Sequence, residues 1–164
     1  MQTHPVSPEG GFLVEKLIKA AATGLGLGHV PVAPGTAGTL LGIPLFLLFS
    51  PLSPPVYLAV LLGCTGAAFW ITGRAERIFQ EKDSQKIVLD EVVGFLWTMS
   101  FISPTPSHLA AGFLLFRLLD IVKPFPAGFL QRKAPGGYGV VLDDVAAGIY
   151  GSILLHLAIR VFGF

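Results

Sequence analysis

Val56-Tyr-Leu-Ala-Val-Leu-Leu-Gly-Cys-Thr-Gly-Ala-Ala-Phe-Trp-Ile-Thr72 decides the fold. It holds no charge and no proline, and it reaches the ~17 residues a helix needs at minimum to cross a bilayer. The flanking sequence extends the reading. No Asp, Glu, Lys or Arg occurs from Ala20 to Gly73, from Val92 to Phe116 or from Val145 to Ile159. Charged residues make up 13% of the 164 residues and apolar residues 52%. A soluble domain carries ~25% charge, so this chain has too little to cover a wet surface. One cysteine excludes a disulfide scaffold, and the apolar content excludes disorder. A net charge of +1 offers no footprint for nucleic acid. The length allows one domain, 1–164, and the expected class is an all-α, polytopic membrane bundle.

Five apolar segments are expected to form short helices: Ala37–Phe49, Val56–Thr72, Val88–Ile102, Ser107–Val122 and Val140–Phe162. Residues 1–23 read as a tail followed by an amphipathic helix, Glu15–Ala22, lying in the membrane interface or packed on the bundle. Met1–Gly11 has no basic residue ahead of an apolar core, which argues against a cleaved signal peptide. The turns Ser50–Pro55 and Ser103–Ser107 carry no charge, whereas Gly73–Lys86 and Lys123–Gly139 are basic. Basic connections favour the cytoplasm. Five crossings put both of them there with the N-terminus; four crossings with a re-entrant segment are the other option.

On that topology the acids gather at one depth. Asp90 and Glu91 open the third segment, Asp120 closes the fourth, and Asp143 and Asp144 are expected in the first turn of the fifth. Any one of them can simply cap a helix, and an Asp at an N-terminus complements the dipole. Five together would repel without a cation between them. Oxygen ligands without a His or Cys cluster point to Mg2+ rather than Zn2+. Arg117 and Asp120 can pair at i,i+3, and Lys123 can either snorkel to headgroups or hold a phosphate. The glycine-rich run Gly24–Gly38 can form an anion nest at a helix N-terminus around Gly35, Thr36 and Gly38. Pro135-Gly-Gly-Tyr-Gly139 can form the far wall.

Four motifs together resemble the phosphatidylglycerophosphatase A family of bacterial membrane phosphatases. They are Pro34-Gly-Thr-Ala-Gly38, Ile87-Val-Leu-Asp-Glu-Val-Val-Gly94, Phe116-Arg-Leu-Leu-Asp-Ile-Val-Lys-Pro-Phe-Pro126 and Gly136-Gly-Tyr-Gly-Val-Val-Leu-Asp-Asp-Val-Ala-Ala-Gly148. The resemblance implies Mg2+-dependent hydrolysis of phosphatidylglycerophosphate to phosphatidylglycerol and phosphate, at the cytoplasmic face of the bacterial plasma membrane, in phospholipid biosynthesis. Its acids fall on Asp90, Glu91, Asp120, Asp143 and Asp144, and its basic residues on Arg117 and Lys123.

The expected chemistry is metal-assisted attack of water on phosphorus, with Arg117, Lys123 and the nest on the phosphoryl oxygens. His29 can protonate the leaving group, although a lone loop histidine is more often a bystander. Rival phosphatase chemistries lack their residues. Cys64 has Trp70 where a cysteine phosphatase needs arginine, and no Asp-x-Asp-x-Thr occurs. An ion or proton transporter is the alternative outside enzymes. It would spread its acids through the membrane depth rather than gather them at one face.

Overall fold

Proline starts most of the helices. Pro34, Pro54 and Pro106 each stand in the first turn of one, where the missing N–H has no partner to lose. The computed structural model describes residues 8–125, 127–129 and 137–163. Its elements are α1 (Pro8–Ala22), a 3-10 turn (Leu27–His29), α2 (Pro34–Phe49), α3 (Pro54–Phe79), α4 (Leu89–Thr98), α5 (Pro106–Val122) and α6 (Gly137–Phe162). No strand occurs among the described residues. The architecture is the expected all-α bundle, five helices following an N-terminal one.

The helices are unequal, and this changes the picture of five similar crossings. Among the described residues, only α3 and α6, 26 residues each, are long and apolar enough to cross a membrane. Their most apolar windows are just 28% and 22% buried. The core helix of a soluble protein would be mostly covered, whereas these present Val56, Leu62, Trp70, Ile153, Leu157 and Val161 outward. Such a surface suits lipid. With 10 residues, α4 rises only ~15 Å, half the ~30 Å hydrocarbon core. It crosses nothing alone. It lies inside the bundle with Val92, Val93, Phe95 and Leu96 buried, packed against α2, α3, α5 and α6.

Missing side chains allow that central position. A Cβ on Gly94 would stand 2.6 Å from the Phe116 ring and 2.8 Å from the Asp144 carbonyl oxygen. One on Gly148 would run into the Gly94 carbonyl. The α4 and α6 backbones thus approach as small-residue helix pairs do in membranes. The N-terminal helix α1 docks on α3 through Ile18 and Ala22, yet leaves Phe12, Leu13 and Leu17 exposed.

Two ends follow. At one, the uncharged turns meet: Ser50, Leu52, Phe101 and Ser103 line a cavity of about 260 Å³. At the other end lie the start of α2, the α3–α4 connection, the start of α4, the end of α5 and the early turns of α6. One expectation is corrected here. Helix α6 begins at Gly137, so Asp143 and Asp144 lie about two turns inside it, and its first turn holds no acid. Gly137-Tyr-Gly139, expected as loop, is helical. Pro135, Gly136, Arg132 and Lys133 lie outside the described residues.

Candidate active site

A polar cavity of about 440 Å³ opens at the charged end. Pro34 and Gly35 of α2 line it, with Asp90 and Glu91 of α4, Arg117 and Asp120 of α5, Lys123, and Val140 and Asp144 of α6. The clustering of acids at one level is therefore observed. Its floor is placed by α4, whose first turn carries Asp90 and Glu91. The approach to that helix is fastened where the Val88 N–H donates to the Ala22 carbonyl at 2.9 Å.

The five acids divide into two groups. Asp120 accepts a hydrogen bond of 2.7 Å from Arg117 Nη1 and lies 3.9 Å from Lys123 Nζ. Asp143, with a fully buried side chain, accepts from Lys123 Nζ through Oδ2 and from the Asp144 N–H through Oδ1. These two carboxylates are neutralised by cations from α5 and its cap. Asp90, Glu91 and Asp144 form no ion pair among the described residues. One carboxylate oxygen from each lies within 4.8 Å of the others. Asp90 Oδ1, Glu91 Oε2 and Asp144 Oδ2 are buried and have no hydrogen-bond partner among the described residues. Buried carboxylates at that spacing destabilise one another unless a positive charge lies between them. Oxygen donors alone fit a hard divalent cation.

Lys123 caps α5 in the left-handed conformation, φ 47°. Burial alone would lower its pKa, but the Asp143 carboxylate beside it, with Asp144 and Asp120, raises it above the ordinary lysine value. Its ammonium charge is therefore fully present at neutral pH and is lost only as pH rises through that raised value.

Of the glycine-rich run, Gly35 alone of the three named nest residues reaches the cavity wall. A Cβ on Gly35 would stand 3.0 Å from Arg117 Nη1 and inside the Glu91 carboxylate, so only glycine lets α2 start there. Thr36 lies off the wall, and its N–H already donates to the Ala33 carbonyl at 2.9 Å. Gly38 packs on Val88, 2.8 Å from the carbonyl oxygen for a Cβ. His29 lies in an adjoining pocket rather than among the carboxylates. Cys64 sits on α3, away from both.

The sequence reading missed the wall made by Asp83, Ser84, Gln85 and Ile87. It took Gly73–Lys86 for a basic connection. The structure corrects its extent: α3 continues to Phe79, so Arg74 and Arg77 are helical and the connection begins at Gln80. The connection is held by buried Glu76 of α3, whose Oε1 accepts from the Asp83 N–H at 2.9 Å. The Ser84 hydroxyl donates to Glu81 Oε2 at 2.6 Å. An acid and a hydroxyl directly before Ile87-Val-Leu-Asp-Glu91 were the available signal.

Comparison with known proteins supplies the relationship. The family profile described as Phosphatidylglycerophosphatase A matches residues 20–159. The chain is 36% identical to phosphatidylglycerophosphatase A of Escherichia coli K12 over 139 residues, which cover 82% of this chain and 79% of that protein. It is 34% identical to the Haemophilus influenzae protein of the same name, covering 84% and 86%. A Bacteroides thetaiotaomicron protein named as a candidate phosphatidylinositol-3-phosphatase is 37% identical, covering 86% and 92%. No solved structure matches. With matching family profile and relatives along most of its length, this chain is a phosphatase of the phosphatidylglycerophosphatase A family.

Proposed function

We propose that the protein hydrolyses the phosphomonoester of phosphatidylglycerophosphate, releasing phosphatidylglycerol and phosphate, with Mg2+ held by Asp90, Glu91 and Asp144. One observation carries the proposal: three carboxylates, each with a buried oxygen that has no hydrogen-bond partner among the described residues, share a cavity with the cations Arg117 and Lys123. The substrate class comes from the names of the Escherichia coli and Haemophilus influenzae relatives.

The bound ion supplies charge against the phosphoryl oxygens and acidity to a water. The chain's own residues do the rest. Lys123 and Arg117, held in place by Asp143 and Asp120, orient the phosphoryl oxygens and stabilise the charge that builds on them. The N-terminal turn of α2 at Gly35 adds a backbone dipole directed at the same group. The acyl chains remain among the exposed apolar faces of α3, α5 and α6. The enzyme is multi-pass, and its cavity faces the cytoplasm, because the α3–α4 connection, which bears Lys82 and Lys86, forms part of the cavity wall through Asp83, Ser84, Gln85 and Ile87. The transporter alternative lacks support: the acids sit at one level, and the named relatives are phosphatases.

The test is phosphate release from phosphatidylglycerophosphate in detergent micelles, with Mg2+ and then with excess EDTA. Release is expected with Mg2+ and loss with EDTA. Full activity in EDTA would remove the metal, and no release under either condition would remove the substrate.

A further inference from the structure

The carboxylate cavity continues into a second pocket of about 340 Å³, and the two share Pro34, Ser84 and Gln85 as wall. Two segments far apart in sequence build it. The turn after α1 is closed by Thr23, whose Oγ1 accepts from the Gly26 N–H at 3.1 Å and whose carbonyl accepts from the Gly28 N–H at 2.9 Å. The α3–α4 connection lies against it so tightly that a Cβ on Gly28 would overlap the Lys86 carbonyl. This contact sets His29 and Lys86 in one pocket. Both are exposed, and neither forms an ion pair among the described residues. Lys86 Nζ lies 5.7 Å from the centroid of the Phe79 ring. The one acid of the pocket, Glu81, is engaged by the Ser84 hydroxyl at 2.6 Å.

We propose that this second pocket binds the phosphodiester of the lipid, through Lys86 and His29, while the monoester lies against Arg117 and Lys123. The inference rests on the substrate reading above and extends it. Phosphatidylglycerophosphate carries two unlike phosphates joined by a glycerol. A site for such a molecule needs two anion subsites in continuity, one built for hydrolysis and one for holding. The first has acids that can take a metal. The second has an ammonium and an imidazole with no carboxylate trio, so it can hold an anion but lacks the means to cleave it. The shared wall at Pro34 and Gln85 would be where the glycerol passes.

Calorimetric titration of the full chain in detergent tests this without turnover. The probes are short-chain dihexanoyl phosphatidylglycerol, which carries the diester alone, dihexanoylglycerol, which carries neither phosphate, and inorganic phosphate. The diester lipid should bind more tightly than dihexanoylglycerol. Lys86→Gln should weaken the diester lipid by roughly threefold to tenfold, the scale of one charge-assisted contact. Glu81→Gln keeps the acceptor for Ser84 but removes a negative charge, and should tighten it. Affinity for inorganic phosphate should hold in both variants. The proposal is overturned by equal affinities for the two lipids, by variants that leave the diester lipid unchanged, or by Lys86→Gln weakening phosphate alone or both ligands alike. Failure to hydrolyse phosphatidylglycerophosphate would instead count against the substrate reading, since these titrations need no catalysis.

Discussion

Adjacent on α6, Asp143 and Asp144 meet different partners. Asp143 is closed off by Lys123 and by its neighbour's N–H, while Asp144 Oδ2 is buried and unpartnered beside Asp90 and Glu91. Their isosteric amides should therefore fail differently. Asp144→Asn removes a proposed metal ligand and should lower kcat by more than about a hundredfold, with activity no longer restored by raising Mg2+. Asp143→Asn leaves the Lys123 ammonium without its nearest carboxylate. It should act mainly on KM and retain the Mg2+ dependence of the wild type. Rate measurements over a Mg2+ series separate the two, and identical profiles would refute the division. Sequence could place all five acids at one level, because residue order and helix direction are enough for that. It could also pair Asp120 with Arg117 at i,i+3, as observed, but it could not divide the other four. Which carboxylate finds a cation depends on Lys123 turning back from the end of α5 in a left-handed conformation, a tertiary outcome with no local signature. Thr36 and Gly38 show the same limit. Both lie in the right motif, but of these three residues Gly35 alone lines the cavity.

Helix positions were legible because apolar segments and Pro-Ser turns are local features: each expected segment falls on a helix, with ends shifted by a few residues. The role of α4 was not. Val88–Ile102 is as apolar as a crossing segment, yet it folds as 10 helical residues. The chain then turns away at Phe101, φ 62°, ahead of Ser103-Pro104. Apolarity reports burial without saying whether lipid or protein provides it. Here protein does, through the approach of Gly94 and Gly148. That contact predicts a contrast between glycines. Gly148→Ala puts a methyl group into the Gly94 carbonyl, where backbone must move, and should destabilise the protein by about 1–3 kcal/mol. Gly66→Ala, on α3 with nothing within 4 Å of its Cβ, should cost no stability. Thermal unfolding in detergent measures both. Equal midpoints would mean that the close approach of α4 and α6 does not hold the bundle.

At the scale of the whole molecule, helix direction sorts the chain's chemistry to one end and its uncharged turns to the other. The cavity end contains Arg117, Lys123 and the connection bearing Lys82 and Lys86, while Ser50–Pro55 and Ser103–Ser107 carry no charge. The proposed orientation follows from this asymmetry, since basic connections favour the cytoplasm. It also bears on supply: an enzyme acting on a phosphorylated lipid headgroup must open its cavity toward the leaflet in which that headgroup is made. Orientation and function are thus one claim, and a labelling experiment tests it. In a Cys64→Ala background, which removes the chain's one cysteine, Lys82→Cys and Ser107→Cys each place a thiol at an exposed position, one at either end. In intact cells an impermeant maleimide should label Ser107→Cys at once and Lys82→Cys only after permeabilisation. The reverse pattern would put the carboxylate cavity outside the cell and separate it from its proposed substrate. Labelling of both from outside would mean that α3 does not cross with α4 and α5 folding back beside it, and the bundle would have to sit in one leaflet.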